Sequence, residues 1–156
     1  MAGVSDYGEP GRTPDRLKGR PSWLLGRAAA RSAALLREGF AEHGGGLRGY
    51  HYRLLAALEQ WGPASQAELG RDTGIDRSDV TAALLELESL GLVEREVDSA
   101  NRRRKIVSMT PSGADRLRSL DAVLDGIQES LLAPLTPAQR GQFTAILARI
   151  ADQPRE

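Results

Sequence analysis

A helix that runs straight into a basic hairpin is the feature that most limits how this chain can fold. Leu84, Leu87 and Leu90 recur at helical spacing and stop at Gly91. The stretch Gly91–Thr110 then reads as two short strands. One alternates around Val93 and Val97, the other around Ile106 and Ser108 with Val107 and Met109 between. Arg102, Arg103, Arg104 and Lys105 fill the turn that joins them. A helix followed by a hairpin with a cationic tip is the shape of a winged helix-turn-helix, and it points to double-stranded DNA as the partner.

The residues just before the hairpin extend this reading. Ser65-Gln66-Ala67-Glu68 has the form of a capping box, in which the Ser65 hydroxyl accepts from the Glu68 amide and the Glu68 carboxylate reaches back to Ser65. It opens a short helix through about Asp72, and Thr73-Gly74-Ile75 supplies a turn. Asp76 caps a longer helix with Val80, Ala83, Leu84, Leu87 and Leu90 on one face. Short helix, glycine turn and longer helix is the grammar of a helix-turn-helix whose second helix enters the major groove by its N-terminal end. Arg77, Ser78 and Thr81 point away from the apolar face. Arg77 can donate to guanine or phosphate, and the two hydroxyls suit either. Ser65 and Gln66 at the first helix N-terminus can meet phosphate. The cluster Arg102 to Lys105 can reach an adjacent minor groove.

Elsewhere helices dominate. Met1–Pro21 is rich in Gly, Pro and charge and reads as a flexible tail whose Arg12, Arg16, Lys18 and Arg20 could touch phosphate. Ser22 to about Glu42 is a helix carrying Trp23, Leu24, Leu25, Ala28, Leu35, Leu36 and Phe40, and Gly44-Gly45-Gly46 ends it. Tyr50–Trp61 is the next, closed by Gly62-Pro63. Beyond the hairpin, Thr110-Pro111 starts a helix with the seam Leu117, Leu120, Val123, Leu124, Ile127 and Leu131. Thr136-Pro137-Ala138-Gln139 is a second capping box, opening a helix with Phe143, Ile146, Leu147 and Ile150 on one face. The order α-α-α-α-β-β-α-α predicts a mainly α protein of six helices with one small β-hairpin. A small helix-turn-helix cannot cover the first helix and both terminal seams, so these three are expected to form a homodimer interface.

Composition narrows the function. The 156 residues hold 21 basic and 21 acidic side chains, so nucleic-acid binding requires that the positive charge be clustered, as it is at the hairpin. There is no cysteine, which excludes disulfides, thiolate zinc sites and thiol redox sensing. Only His43 and His51 are available as imidazoles, with no nucleophile elbow, metal-ligand spacing or phosphate loop. Neither catalysis nor a cofactor is expected. The start lacks the apolar centre of a signal peptide and no run is long enough for a bilayer, so a cytoplasmic location is expected.

From Ser22 to Ile150 the chain resembles the MarR family of bacterial transcription regulators. The residues that carry the resemblance are Leu87-Glu-Ser-Leu-Gly-Leu-Val-Glu-Arg95, Asp98, Asn101-Arg102-Arg103 and Ile106-Val-Ser-Met-Thr-Pro-Ser-Gly113. The resemblance implies a homodimer that binds a pseudo-palindromic operator, often as a repressor, and that in many members lets go when a small aromatic or anionic effector binds. It implies a tail over 1–21 and one domain over 22–156. Residues about 50–110 would be its DNA-binding lobe, and 22–43 and 111–152 its dimerisation helices. Arg103 falls at the wing-tip arginine, while Asn101 stands where an aspartate usually braces it. Ser99 stands where proline is frequent, and Ala82 where a base-contacting arginine often lies. The absence of cysteine excludes the peroxide-sensing branch.

Relatives suggest an effector cleft between the dimer helices and the DNA-binding lobe. Trp23, Tyr50, His51, Tyr52, Arg53 and Trp61 are the candidates, with His51 and Arg53 able to hold a carboxylate or phenolate. The bland alternative is that Trp23, Tyr52 and Trp61 are core and Tyr50 caps a helix. The rival to DNA binding is a winged-helix module that binds protein, because Asp76 and Asp79 put negative charge near the presumed DNA face.

Overall fold

The computed structural model describes residues 12–154. Most of the expected tail, Met1–Gly11, lies outside them. The chain divides into two compact units, one up to Ala34 and one from Leu35. The elements are α1 (Pro21–His43), α2 (Gly49–Trp61), β1 (Ala64–Ser65), α3 (Gln66–Thr73), α4 (Arg77–Ser89), β2 (Val93–Val97), β3 (Lys105–Met109), α5 (Pro111–Leu132) and α6 (Pro137–Ala151). Six helices with a small antiparallel sheet match the sequence reading, and the helix starts lie where the caps put them. Ser65 and Thr136 each close a capping box, with Glu68 and Gln139, and the Thr110 hydroxyl accepts from the Gly113 amide. Asp76 occupies the N-cap of α4 but makes no side-chain cap.

The sheet has one strand more than expected. Its order is β1-β3-β2, with Ala64 opposite Val107 and Ser65 opposite Ile106. A two-residue strand is too short to show alternation, so only the pairing reveals it. The β2–β3 register runs from Val93 opposite Met109 to Val97 opposite Lys105. Lys105 is therefore the first residue of β3 and not part of the turn.

The core of the second unit is made by Leu54, Leu55 and Leu58 of α2, Leu69 of α3, Val80, Leu84 and Leu87 of α4, Val93 and Val107 of the sheet, and Leu117 and Leu120 of α5. Leu90 does not join that face. It is 56% exposed at the C-cap of α4, where Gly91 at φ 71° breaks the helix and Leu92 takes the inward place. On α6 no residue is buried, and Ile146 and Ile150 stand more than half exposed. On α1, Leu24 and Leu25 are exposed and only Phe40 is buried. No helix among the described residues is long and apolar enough to cross a membrane.

Candidate nucleic-acid interface

Two glycines and a capping box place the helix-turn-helix. Gly62 at φ 80° ends α2 and turns the chain into β1. Gly74 at φ 66° takes the left-handed conformation that lets α4 leave α3 at an angle, which a side chain would resist. Arg53 of α2 donates to the Thr73 carbonyl at 3.0 Å, satisfying a free acceptor at the C-terminus of α3. At the other end the Ser65 amide donates to Glu68 Oε2 at 2.7 Å.

Ser65 takes part in the cap with its side chain as well. The residue is buried, and its hydroxyl donates to Glu68 Oε2 at 2.9 Å while accepting from the Glu68 amide at 3.3 Å. The side chain is spent on the cap and does not face outward to phosphate. Gln66 is half-buried, and its side-chain amide donates to the Thr81 hydroxyl. Thr81 in turn donates to the Arg77 carbonyl at 2.9 Å. The two residues thus tie α3 to α4. Arg77 and Ser78, in the first turn of α4, are exposed.

One groove of about 810 Å³ gathers most of the expected contacts. Its basic lining is Arg71, Arg77, Arg103, Arg104 and Lys105, drawn from α3, α4 and the wing, and Glu68 is its carboxylate. Gln66 and the backbone around Ser65 complete the α3 side. In a chain of zero net charge, this is the clustering that nucleic-acid binding demands. Arg71 was not foreseen. It lies on the exposed side of a helix too short for its facing to be read from periodicity alone. Glu68 is held below the usual carboxylate range, first by the Ser65 amide, then by the Ser65 hydroxyl, with Arg104 adding to this.

The wing turn spans Asp98 to Arg104. The Asp98 amide donates to the Arg104 carbonyl at 2.9 Å, and the Arg104 amide to the Asn101 carbonyl at 2.9 Å. Asp98 Oδ1 accepts from the Ala100 amide, and Asn101 Oδ1 from the Arg103 amide at 3.2 Å. Asn101 therefore shapes the backbone beneath Arg103 and makes no bond to its guanidinium. Arg102 and Arg103 are exposed, and neither is ion-paired among the described residues. Arg104 is ion-paired, to Glu68 and Asp98, so it differs in kind from its neighbours.

Within the second unit, the five effector candidates Tyr50, His51, Tyr52, Arg53 and Trp61 are engaged in different ways. His51 is fully buried; its Nδ1 accepts from the Arg48 amide at 2.9 Å and its Nε2 meets Glu86 Oε2 at 2.7 Å. Both nitrogens are occupied, which removes it as a free ligand donor. Burial holds its pKa below the usual value, opposed in part by the bond to Glu86. The Tyr52 hydroxyl donates to Asp121 of α5 at 2.8 Å, and that bond, joined by burial and the nearby carboxylates, raises its pKa to about 12. Arg53 lies over the Tyr50 ring, 5.1 Å from its centroid, while it caps α3. Trp61 is 63% exposed and Trp23 of α1 is 37% exposed, so neither is core. Tyr50 sits in the first turn of α2, where the N-cap is Arg48.

Residues 46–104 match the family model described as MarR family. A probable transcriptional regulator from Pseudomonas aeruginosa has a crystal structure that superimposes with a TM-score of 0.73 at 32% identity, covering 86% of this chain and 99% of that one. Bordetella bronchiseptica BpsR, whose DNA binding is regulated by 6-hydroxynicotinic acid, superimposes with a TM-score of 0.75 at 25% identity over 91% of this chain and 100% of its own. The transcriptional repressor NicR of Pseudomonas putida is 28% identical over 140 residues, 90% of this chain and 87% of NicR. These relatives are regulators of transcription and not enzymes. With the helix-turn-helix, the wing and its basic groove in place, the chain belongs to the MarR family of transcriptional regulators.

Proposed function

We propose that this protein is a sequence-specific repressor that binds a pseudo-palindromic operator as a homodimer. The observation that carries this reading is the groove in which α3, the first turn of α4 and the wing present five cations against one carboxylate. Arg77 and Ser78 stand where a recognition helix meets base edges, and Arg103 stands at the wing for the minor groove. Arg71 and Lys105 serve phosphate. The homodimer is supported by apolar side chains left in water on α1 and α6, such as Leu24, Leu25, Ile146 and Ile150. Half-sites one helical turn apart, about 34 Å, fit such a dimer. Sedimentation giving a monomer mass at all concentrations would refute the dimer.

Salt titration of duplex binding tests the interface. If Arg71, Arg77, Arg103 and Lys105 of both protomers each neutralise one phosphate, log K falls against log salt with a slope near −7, at ~0.9 per phosphate. A flat response to both selected and random duplexes would favour a protein-binding module instead. Arg71→Ala should make the slope shallower by about 1 per protomer without changing base preference. Arg103→Ala should weaken binding by roughly tenfold and alter the preference for A·T-rich flanks. Unchanged affinity in that variant refutes its role at the tip.

An effector of small aromatic, anionic type is supported by BpsR, which answers to 6-hydroxynicotinic acid. With both ring nitrogens of His51 engaged, that molecule would find its polar anchor elsewhere. Thermal shift against a panel of aromatic acids tests the idea, and a panel with no stabilising member counts against it.

A further inference from the structure

Among Arg102, Arg103, Arg104 and Lys105, Arg104 alone is ion-paired among the described residues. Its Nη2 donates to both oxygens of Glu68, at 3.3 and 3.2 Å, and its Nε lies 3.6 Å from Asp98 Oδ2. Glu68 closes the capping box of α3, and Asp98 opens the wing turn. One guanidinium thus joins the root of the wing to the first turn of α3. Given the DNA-binding reading above, we propose that Arg104 is a positioning residue of the interface: it clasps the wing to α3 and sets where Arg103 stands relative to Arg77.

Several observations support the clasp. The hydrogen bonds inside the turn shape it, and the Arg104 ion pairs reinforce them while setting the angle of the turn to α3. The sheet anchors the wing through the two-residue β1 pairing at Ile106 and Val107, and on β2 through Arg95, which pairs with Glu88 of α4. Toward the tip, the ion pair that joins the wing to α3 among the described residues is Arg104 with Glu68. Asn101, the polar side chain at the tip, carries no charge and bonds to backbone, so it does not hold the Arg103 guanidinium. What is held is the loop that bears it.

The residue type fits the task. A guanidinium presents several donors in a rigid fork and can serve two carboxylates at once, which an ammonium does poorly. Glu68 serves the cap and the clasp together: Oε2 takes the Ser65 amide, and both oxygens take Arg104. With two carboxylates beside it, Arg104 has little charge left to release counterions from DNA. It therefore belongs outside the count of phosphate contacts.

The test has one arm without DNA and one with it. In the free protein, Arg104→Ala and Glu68→Gln should each speed hydrogen exchange several-fold at the Asp98 and Arg104 amides. Core amides of α2 and α4 should not change. Gln keeps an oxygen for the Ser65 amide, so the cap of α3 survives in that variant. Unchanged exchange at the wing in both variants overturns the clasp, whatever happens with DNA. In the second arm, affinity is measured over a range of salt with a duplex selected from a random library by the wild-type protein. Arg104→Ala should weaken binding by about three- to tenfold with the same salt slope. Glu68→Gln should give a similar loss, and the double variant no further loss. A slope shallower by ~0.9 per protomer in Arg104→Ala makes Arg104 a phosphate contact and overturns the proposal. So does tighter binding by Glu68→Gln joined to an undiminished effect of Arg104→Ala in that background. If the wild-type protein selects no duplex, the functional reading fails, and the exchange arm alone decides whether the clasp exists.

Discussion

His51→Ala should lower the free energy of unfolding by about 2–4 kcal/mol at neutral pH, measured by denaturant titration. The side chain is fully buried, so its removal leaves a void as well as two broken hydrogen bonds. The Arg48 amide at the start of α2 loses its acceptor, and Glu86 of α4 loses its imidazole partner, retaining Arg48 at 3.5 Å. Because Nδ1 accepts from a backbone amide, the neutral ring carries its proton on Nε2 and donates it to Glu86. A second proton would have to go on Nδ1, facing another donor. Burial, the larger effect, therefore holds the folded pKa below the ordinary value of about 6.5, though Glu86 opposes it. The sign follows: below that value the unfolded chain binds the proton first, so stability is full above pH ~6.5 and falls as pH drops towards the folded pKa. His51→Ala should flatten this part of the profile. A wild-type denaturation midpoint that stays constant from pH ~7.5 to ~5.5 would refute the assignment.

The same residue shows where sequence reading reached its limit. Three aromatics, a histidine and an arginine within Tyr50–Trp61 look like a concentration of ligand-binding groups. Helical geometry disperses them: Tyr52 faces α5, His51 faces α4, Arg53 faces the end of α3, and Trp61 stands in water. A partner such as Glu86 or Asp121, 35 or 69 positions away, leaves no mark in the local pattern. The same holds for Glu68 and Arg104. By contrast the capping boxes at Ser65 and Thr136 were legible, because a cap is closed by residues three apart. The helices around them, the glycine stops and the wing followed from equally local signals. Leu90 was misplaced on the core face because periodicity does not say at which residue a helix ends. The apolar stripe of α6 was legible as a stripe, yet this single chain half-buries Phe143 and Leu147 and leaves Ile146 and Ile150 exposed.

Gly113→Ala should destabilise the protein by about 1–3 kcal/mol or more, against the sign of helix propensity. Gly113 lies in the first turn of α5, where alanine would ordinarily improve a helix by up to ~1 kcal/mol. Here a β-carbon would fall 2.8 Å from Met109 Cγ and closer still to the Leu92 carbonyl oxygen. Met109 can swing aside, but the Leu92 carbonyl is backbone and already accepts from the Thr110 amide at 3.1 Å. Moving it would shift the entry to β2 and the Thr110 cap of α5 together. That reach makes the glycine matter for function, since β2 carries the wing and α5 begins the C-terminal helices. Gly126 of the same helix is the control, because its β-carbon would meet nothing within 4 Å. Gly126→Ala should stabilise by roughly 0.5–1 kcal/mol. Opposite shifts in thermal midpoint for the two variants would show that packing against Leu92, and not helix propensity, sets the residue at 113. Equal shifts would remove that account. Gly113→Ala should also cost DNA affinity, because a displaced β2 carries Arg103 away from Arg77.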